Sequence, residues 1–127
     1  NNFLAISYCQ MNAEALSLMQ TFGLNLEKTL DVLYGTTATN GQLKVAWPAK
    51  VLSGDTSPGF TIDLAHKDLS LVVEAANDQS LSMPMAAAAR EAFSLARKRG
   101  FGLKDFSAML EQHCDLHQLD TPRSSAD

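Results

Sequence analysis

Apolar residues recur at helical spacing from the start of the chain. Leu4, Tyr8, Met11, Ala15, Leu18 and Phe22 follow one another three or four positions apart and form one helical face. A second line, Ala5, Cys9, Leu16 and Met19, widens the apolar arc. A helix apolar on several sides belongs in the middle of a bundle. Gly23 closes it as a left-handed cap. Asn25 caps a short second helix, LEKTLDVLY, that turns Leu26, Leu30 and Leu33 inward and is broken by Gly35. The stretch TTATNGQ is a turn-rich link, and LKVAW a third, short helix whose end Pro48 disturbs. LSGDTSPGF is a loop by composition.

The second half repeats the pattern. Thr61 caps a fourth helix with Ile62, Ala65, Leu69, Val72 and Ala76 on one face. Pro84 suits the first turn of a fifth, closed by Gly100, and its alanine run fits a close helix–helix contact. The short basic turn Arg97 to Arg99 complements the helix dipole and reads as solvated. A sixth helix, DFSAMLEQHCDLHQL, aligns Phe106, Met109, Leu110 and His113. No strand-like alternation appears, and no glycine-rich dinucleotide fingerprint. The expected fold is an all-α bundle of about six helices over residues 1–119, with 120–127 as a frayed tail.

Composition narrows the function. At 127 residues and 46% hydrophobic, the chain can bury a core without disulfides or metal. Its net charge of −4 argues against a nucleic-acid partner, which calls for a basic stripe. A small anionic ligand stays compatible, because a local pocket can be positive on an acidic protein. Cys9 and Cys114 read as free thiols in a reducing compartment. No run approaches the ~18 apolar residues of a membrane span. A soluble, cytoplasmic protein is therefore the expectation.

Candidate chemistry is sparse. Asn1 and Asn2 offer amides that can hold a hydroxyl or carbonyl, but asparagine near a helix start is more often a cap. Lys67 shares a face with Phe60, Leu64 and Leu71 and could bind a phosphate or carbonyl, yet Asp63 four residues earlier offers an ordinary ion pair. Such exposed pairs contribute only ~0.3–0.5 kcal/mol. His66 sits next to Lys67 but points about 100° away on a helix. His113 and His117 have metal-chelating spacing without a third ligand nearby, so they read as structural and no metal is expected.

Four blocks, in order and properly spaced, change these odds. They are NN at the start, AEAL with FGLNLEKTLDVL, SPGFTIDLAHKDLSL, and GFGLKDFSAMLE. Together they resemble the C-terminal domain of the β-hydroxyacid dehydrogenases, the group of 3-hydroxyisobutyrate dehydrogenase, related to 6-phosphogluconate dehydrogenase. The resemblance covers nearly the whole chain. It implies an NAD- or NADP-dependent enzyme that reduces a small aldehyde acid to a hydroxy acid. Within the family, the stretch from Trp47 to Ala76 looks like the branch that takes a sulfonated aldehyde. The resemblance also implies an N-terminal Rossmann domain that binds the cofactor, an active site between the two domains, and a homo-oligomer.

The two asparagines match the end of the family's Lys-x-x-Asn-Asn motif. Its catalytic lysine is then expected just ahead of Asn1, which would leave these 127 residues inert on their own. By resemblance, Asn2 is a catalytic residue that also binds substrate, and Asn1 contacts the substrate's distal polar group. Lys67 belongs to the cofactor side of the cleft. Phe60 and Asp68 line or brace the substrate pocket.

Overall fold

The computed structural model describes residues 1–125. Six α-helices form the fold: α1 (Asn2–Thr21), α2 (Leu26–Tyr34), α3 (Trp47–Ala49), α4 (Ile62–Asp78), α5 (Pro84–Lys98) and α6 (Met109–Leu116). There is no β-strand among the described residues, so the all-α bundle read from the sequence is what the chain adopts. The caps act as expected. The Asn25 side chain accepts from Lys28 N at 3.0 Å, and Thr61 Oγ1 accepts from Leu64 N at 3.1 Å. Each satisfies a backbone donor that a helix start leaves open. Gly23, at φ +65°, ends α1: its N–H donates to the Gln20 carbonyl and that of Leu24 to the Met19 carbonyl.

The core is assembled around α1, against which α4, α5 and α6 all pack. Its inward stripe is Ile6, Cys9, Ala13 and Leu16, all essentially inaccessible. Facing it lie Trp47, Leu52, Ile62, Leu69, Phe93, Met109 and Leu110, also fully buried. Ala86 and Ala89 of the alanine run are buried in the α5 contact. Burying the Cys9 thiol pushes its pKa up to about 12, so it behaves as a small apolar core residue.

Four expectations change. The first line read on α1 is its outer face: Leu4 is 58% exposed and Phe22 is 72% exposed. Both lines have helical period, and period alone does not say which one a neighbour covers. The third helix begins as a π-helical stretch, Gln42–Ala46, and Pro48 lies in the first turn of α3 rather than at an end. Proline has no N–H to return to Lys44, so the regular ladder cannot form there. The tail is tied down as far as the described residues go. Pro122 is buried, Ser124 N donates to the Leu52 carbonyl at 2.9 Å, and Arg123 bonds the Val51 carbonyl and Glu111.

The basic turn is not simply solvated either. Arg97 Nε donates to Asp63 Oδ1 at 2.7 Å, and Arg99 bonds the Gln112 carbonyl and Asp115. These contacts clamp α5 to α4 and to α6. Only a tertiary pairing could reveal them, since each joins residues on different helices.

Candidate active site

Asn2 continues the inward stripe of α1. With Ile6, Cys9 and Ala13 it recurs at positions four, seven and eleven apart, so it points the way the core points, at the open end of the bundle. There it meets α4. Asn2 Nδ2 donates to Asp68 Oδ2 at 2.8 Å. Asn1 Nδ2 donates to Asn2 Oδ1 at 3.3 Å. Lys67 Nζ lies 3.7 Å from Asp68 Oδ1. Two amides from the start of the chain and a carboxylate and an ammonium from its middle form one continuous polar patch.

The bland readings of these residues hold only in part: Asn1 is the N-cap residue of α1 and Lys67 has an ion-pair partner, but neither side chain makes the local contact that spacing suggested. The Asn1 side chain makes no capping bond to the backbone of α1, although its carbonyl accepts from Ala5 N at 3.1 Å. Asp63 does not pair with Lys67, because Arg97 from α5 occupies it. Lys67 therefore keeps a 61% exposed side chain, and Asp68, at 23%, is its only ion-pair partner among the described residues. At that exposure the pair contributes little to stability. An accessible ammonium beside a carboxylate that is itself held by an amide suits recognition of a polar ligand.

His66 turns away from the patch, as its helical angle requires. Its Nε2 lies 2.8 Å from Ser94 Oγ, and Arg97 donates to its Nδ1 at 3.0 Å. An acceptor Nδ1 leaves the proton on Nε2, so the imidazole donates to Ser94 and cannot serve it as a base. Burial and the neighbouring Arg97 and Arg90 hold the His66 pKa below its ordinary value. His113 and His117 stack edge-on, with centroids 4.8 Å apart. No group of three metal-ligating side chains clusters among the described residues.

Phe60 stands just ahead of α4, half-buried, its ring edge-on to Phe106 at 5.1 Å between centroids. No side-chain bond ties it to the amide patch. Its backbone is held by a residue that the sequence reading passed over. Asp105 is only 3% exposed, and its carboxylate takes hydrogen bonds from the backbone N–H groups of Gly59, Phe60 and Ser107 and from the Ser107 hydroxyl. The available signal was Asp-x-Ser at a helix start, a local capping pattern. That pattern accounts for Ser107 but not for the bonds to Gly59 and Phe60.

An all-α domain whose polar patch is built by the first turn of a long helix and the middle of a second narrows the class of protein. Residues 1–113 match the family model described as NAD-binding of NADP-dependent 3-hydroxyisobutyrate dehydrogenase, and the chain belongs to that family. It is 46% identical over 112 residues to 3-sulfolactaldehyde reductase of Escherichia coli strain K12, a match covering 88% of this chain and 38% of that protein. It is 32% identical over 111 residues to 2-(hydroxymethyl)glutarate dehydrogenase of Eubacterium barkeri, covering 87% of this chain and 37% of that protein. Among solved structures, 3-hydroxyisobutyrate dehydrogenase from Salmonella typhimurium superposes with a TM-score of 0.80 at 28% identity, over 87% of this chain and 39% of that one. The chain thus spans well under half the length of the relatives it matches.

Proposed function

We propose that this domain is the substrate-side half of an NAD(P)-dependent oxidoreductase that reduces a small anionic aldehyde acid to a hydroxy acid, with sulfolactaldehyde as the substrate. The observation that carries the reading is the 2.8 Å bond from Asn2 to Asp68, the carboxylate that also pairs with Lys67. The identity to 3-sulfolactaldehyde reductase supports the substrate. The two buried, unpaired cysteines suit a reducing, cytoplasmic setting.

In this reading the other half of the cleft is a Rossmann domain, which binds NAD or NADP. The nicotinamide, when bound, supplies the hydride. The exposed Lys67 ammonium fits the polar edge of such a cofactor: it is accessible, and Asp68, its one carboxylate partner among the described residues, is already shared with Asn2. Asn2 is the catalytic amide. It donates to the substrate oxygen on which negative charge develops, next to the lysine that the family motif carries one helical turn earlier. A hydrogen bond that strengthens with that charge favours the transition state over the ground state. Asn1 holds the distal polar group, while Phe60 and Asp68 shape and brace the pocket.

The test is steady-state reduction of sulfolactaldehyde with NADH and NADPH by the full gene product. We expect Asn2→Ala to lower kcat by roughly 10²-fold, the scale of a lost oxyanion donor. A gene product that turns over 3-hydroxyisobutyrate, tartronate semialdehyde or succinic semialdehyde instead would reassign the substrate within the family. The 127 residues alone should show no NADH oxidation, and measurable turnover by them would refute the half-site reading.

A second reading is supported by the outer face of α1. Leu4, Met11, Leu18 and Phe22 are each at least half exposed, and a cavity of about 330 Å³ opens beside Met11 between α1 and residues 37–40. A stripe of this kind is a natural contact between protein surfaces. In that reading the domain assembles homo-oligomers, with or without a catalytic role. Light scattering distinguishes the two, since a strict monomer at high concentration removes the assembly role.

A further inference from the structure

The patch formed by Asn2, Lys67 and Asp68 depends on where α4 begins, and one buried carboxylate fixes that point. Asp105 Oδ1 accepts from Gly59 N at 3.0 Å and Phe60 N at 3.1 Å. Its Oδ2 accepts from Ser107 N at 3.1 Å and Ser107 Oγ at 2.6 Å. Four donors offset the cost of removing an ionised group from water, and they leave the carboxylate no freedom to turn.

The backbone around it is paired as if by a short zipper. Asp105 N donates to the Thr56 carbonyl at 3.0 Å, Phe106 N to the Phe60 carbonyl at 2.8 Å, and Ile62 N to the Lys104 carbonyl at 3.0 Å. Asp63 N, in the first turn of α4, donates to the Gly102 carbonyl at 2.9 Å. The approach is close enough that a Cβ on Gly102 would sit 2.5 Å from Asp63 Oδ1. From the Phe60 backbone to Asp68 the chain is then one rigid piece, because α4 starts at Ile62 and runs on unbroken.

We propose that Asp105 is the positioning residue of the active site: by gripping Gly59 and Phe60 it sets the Phe60 ring and the start of α4, and through α4 the placement of Lys67 and Asp68 against Asn2. This rests on the reading of those residues given above. Asp105 touches neither substrate nor cofactor, and the buried carboxylate acts only through the backbone it holds.

The experiment has two arms. In the 127-residue chain, amide exchange and backbone NMR signals are compared between wild type and Asp105→Asn, in which one of the two acceptor oxygens becomes an NH₂ group. The Gly59 and Phe60 amides should exchange about tenfold faster or more, the scale of a lost hydrogen bond to a charged group. The Lys67 and Asp68 signals should shift, while Leu16 in the middle of α1 keeps its protection. Unchanged exchange at Gly59 and Phe60, an equal rise at Leu16, or unmoved Lys67 and Asp68 signals would each overturn the proposal. Should Asp105→Asn not fold, Asp105→Ser keeps a short side-chain oxygen that can still cap Ser107 but cannot reach Gly59 and Phe60, and is judged by the same amides.

In the full gene product, Asp105→Asn should raise the KM for the aldehyde about tenfold per folded molecule, as misplacement of a binding surface does. An unchanged KM and kcat would reduce Asp105 to a fold residue and overturn the positioning role. A wild-type protein that reduces no aldehyde acid removes the functional reading instead, and the exchange arm still decides whether Asp105 positions α4.

Discussion

Two aspartates serve the same helix, Asp68 from within α4 and Asp105 from beside its start, and are used in opposite ways. Asp68 lies partly open to solvent and is held by a side-chain amide and a loosely placed ammonium. Asp105 is sealed in the protein and spends its carboxylate on backbone N–H groups. The first can exchange its partners for water or a ligand at little cost. The second cannot do so as cheaply, because the Ser107 N–H and hydroxyl it holds are buried and would be left without a partner. A site built this way keeps its recognition groups adjustable and its scaffold stiff.

That contrast can be broken most forcefully at Asp105. Replacing it by Ala should cost about 3 kcal/mol or more in urea unfolding, since several donors lose their acceptor together. Asp105→Ala within error of wild type would erase the distinction. Gly102→Ala probes the zipper from its other strand. The added methyl must push aside an Asp63 carboxylate that Arg97 holds at 2.7 Å, and a loss of about 1–2 kcal/mol is expected. The same denaturation series reads it.

Acidity sharpens the comparison further. His66 and His113 both have pKa values below the ordinary 6.5, chiefly because burial disfavours the charged form. A folded-state value below the unfolded one means that the unfolded chain binds the proton more tightly. Their contribution is therefore fully present above about pH 6.5 and is lost as pH falls through the folded values. The urea midpoint should drop from pH 7.5 to pH 5.5, and His66→Gln should flatten part of that slope.

Asp68→Ala is expected at the small end, within ~0.5 kcal/mol in stability, as for other exposed pairs. In the proposed enzyme the same change should still be felt in substrate binding. That split between stability and function is the signature of an adjustable group, and a large loss of stability would contradict it. Smallest of all is the effect of a thiol reagent on Cys9. At pH 8 the folded protein should leave it unmodified, because its pKa near 12 and its complete burial both disfavour attack.

Much of the architecture lies on the surface of the sequence. Asn25, Thr61 and Gly23 act within one turn of themselves, so a cap can be read from a few letters. The inward face of α4 is also legible, since Ile62, Ala65, Leu69 and Ala76 form its one unbroken apolar stripe while Leu64 and Leu71 stand among charged residues on the exposed side. On α1 both faces are apolar, and the same reasoning selected the exposed one as the leading line. The candidate site was legible only through family resemblance. Periodicity assigned Asn1 to a cap and Lys67 to Asp63, both local partners at ordinary spacing. The structure gives the Asn1 side chain no backbone bond and hands Asp63 to Arg97.

Local chemistry in the chain thus sets where each helix starts and stops, and which helices have an unambiguous buried side. Such rules reach about one turn along the backbone. Which of two apolar faces on α1 is covered, which cation takes Asp63, and what a buried Asp105 grips depend on groups distant in sequence. Those pairings exist only once the helices have docked, because burial and hydrogen-bond geometry decide among partners that sequence spacing leaves equal.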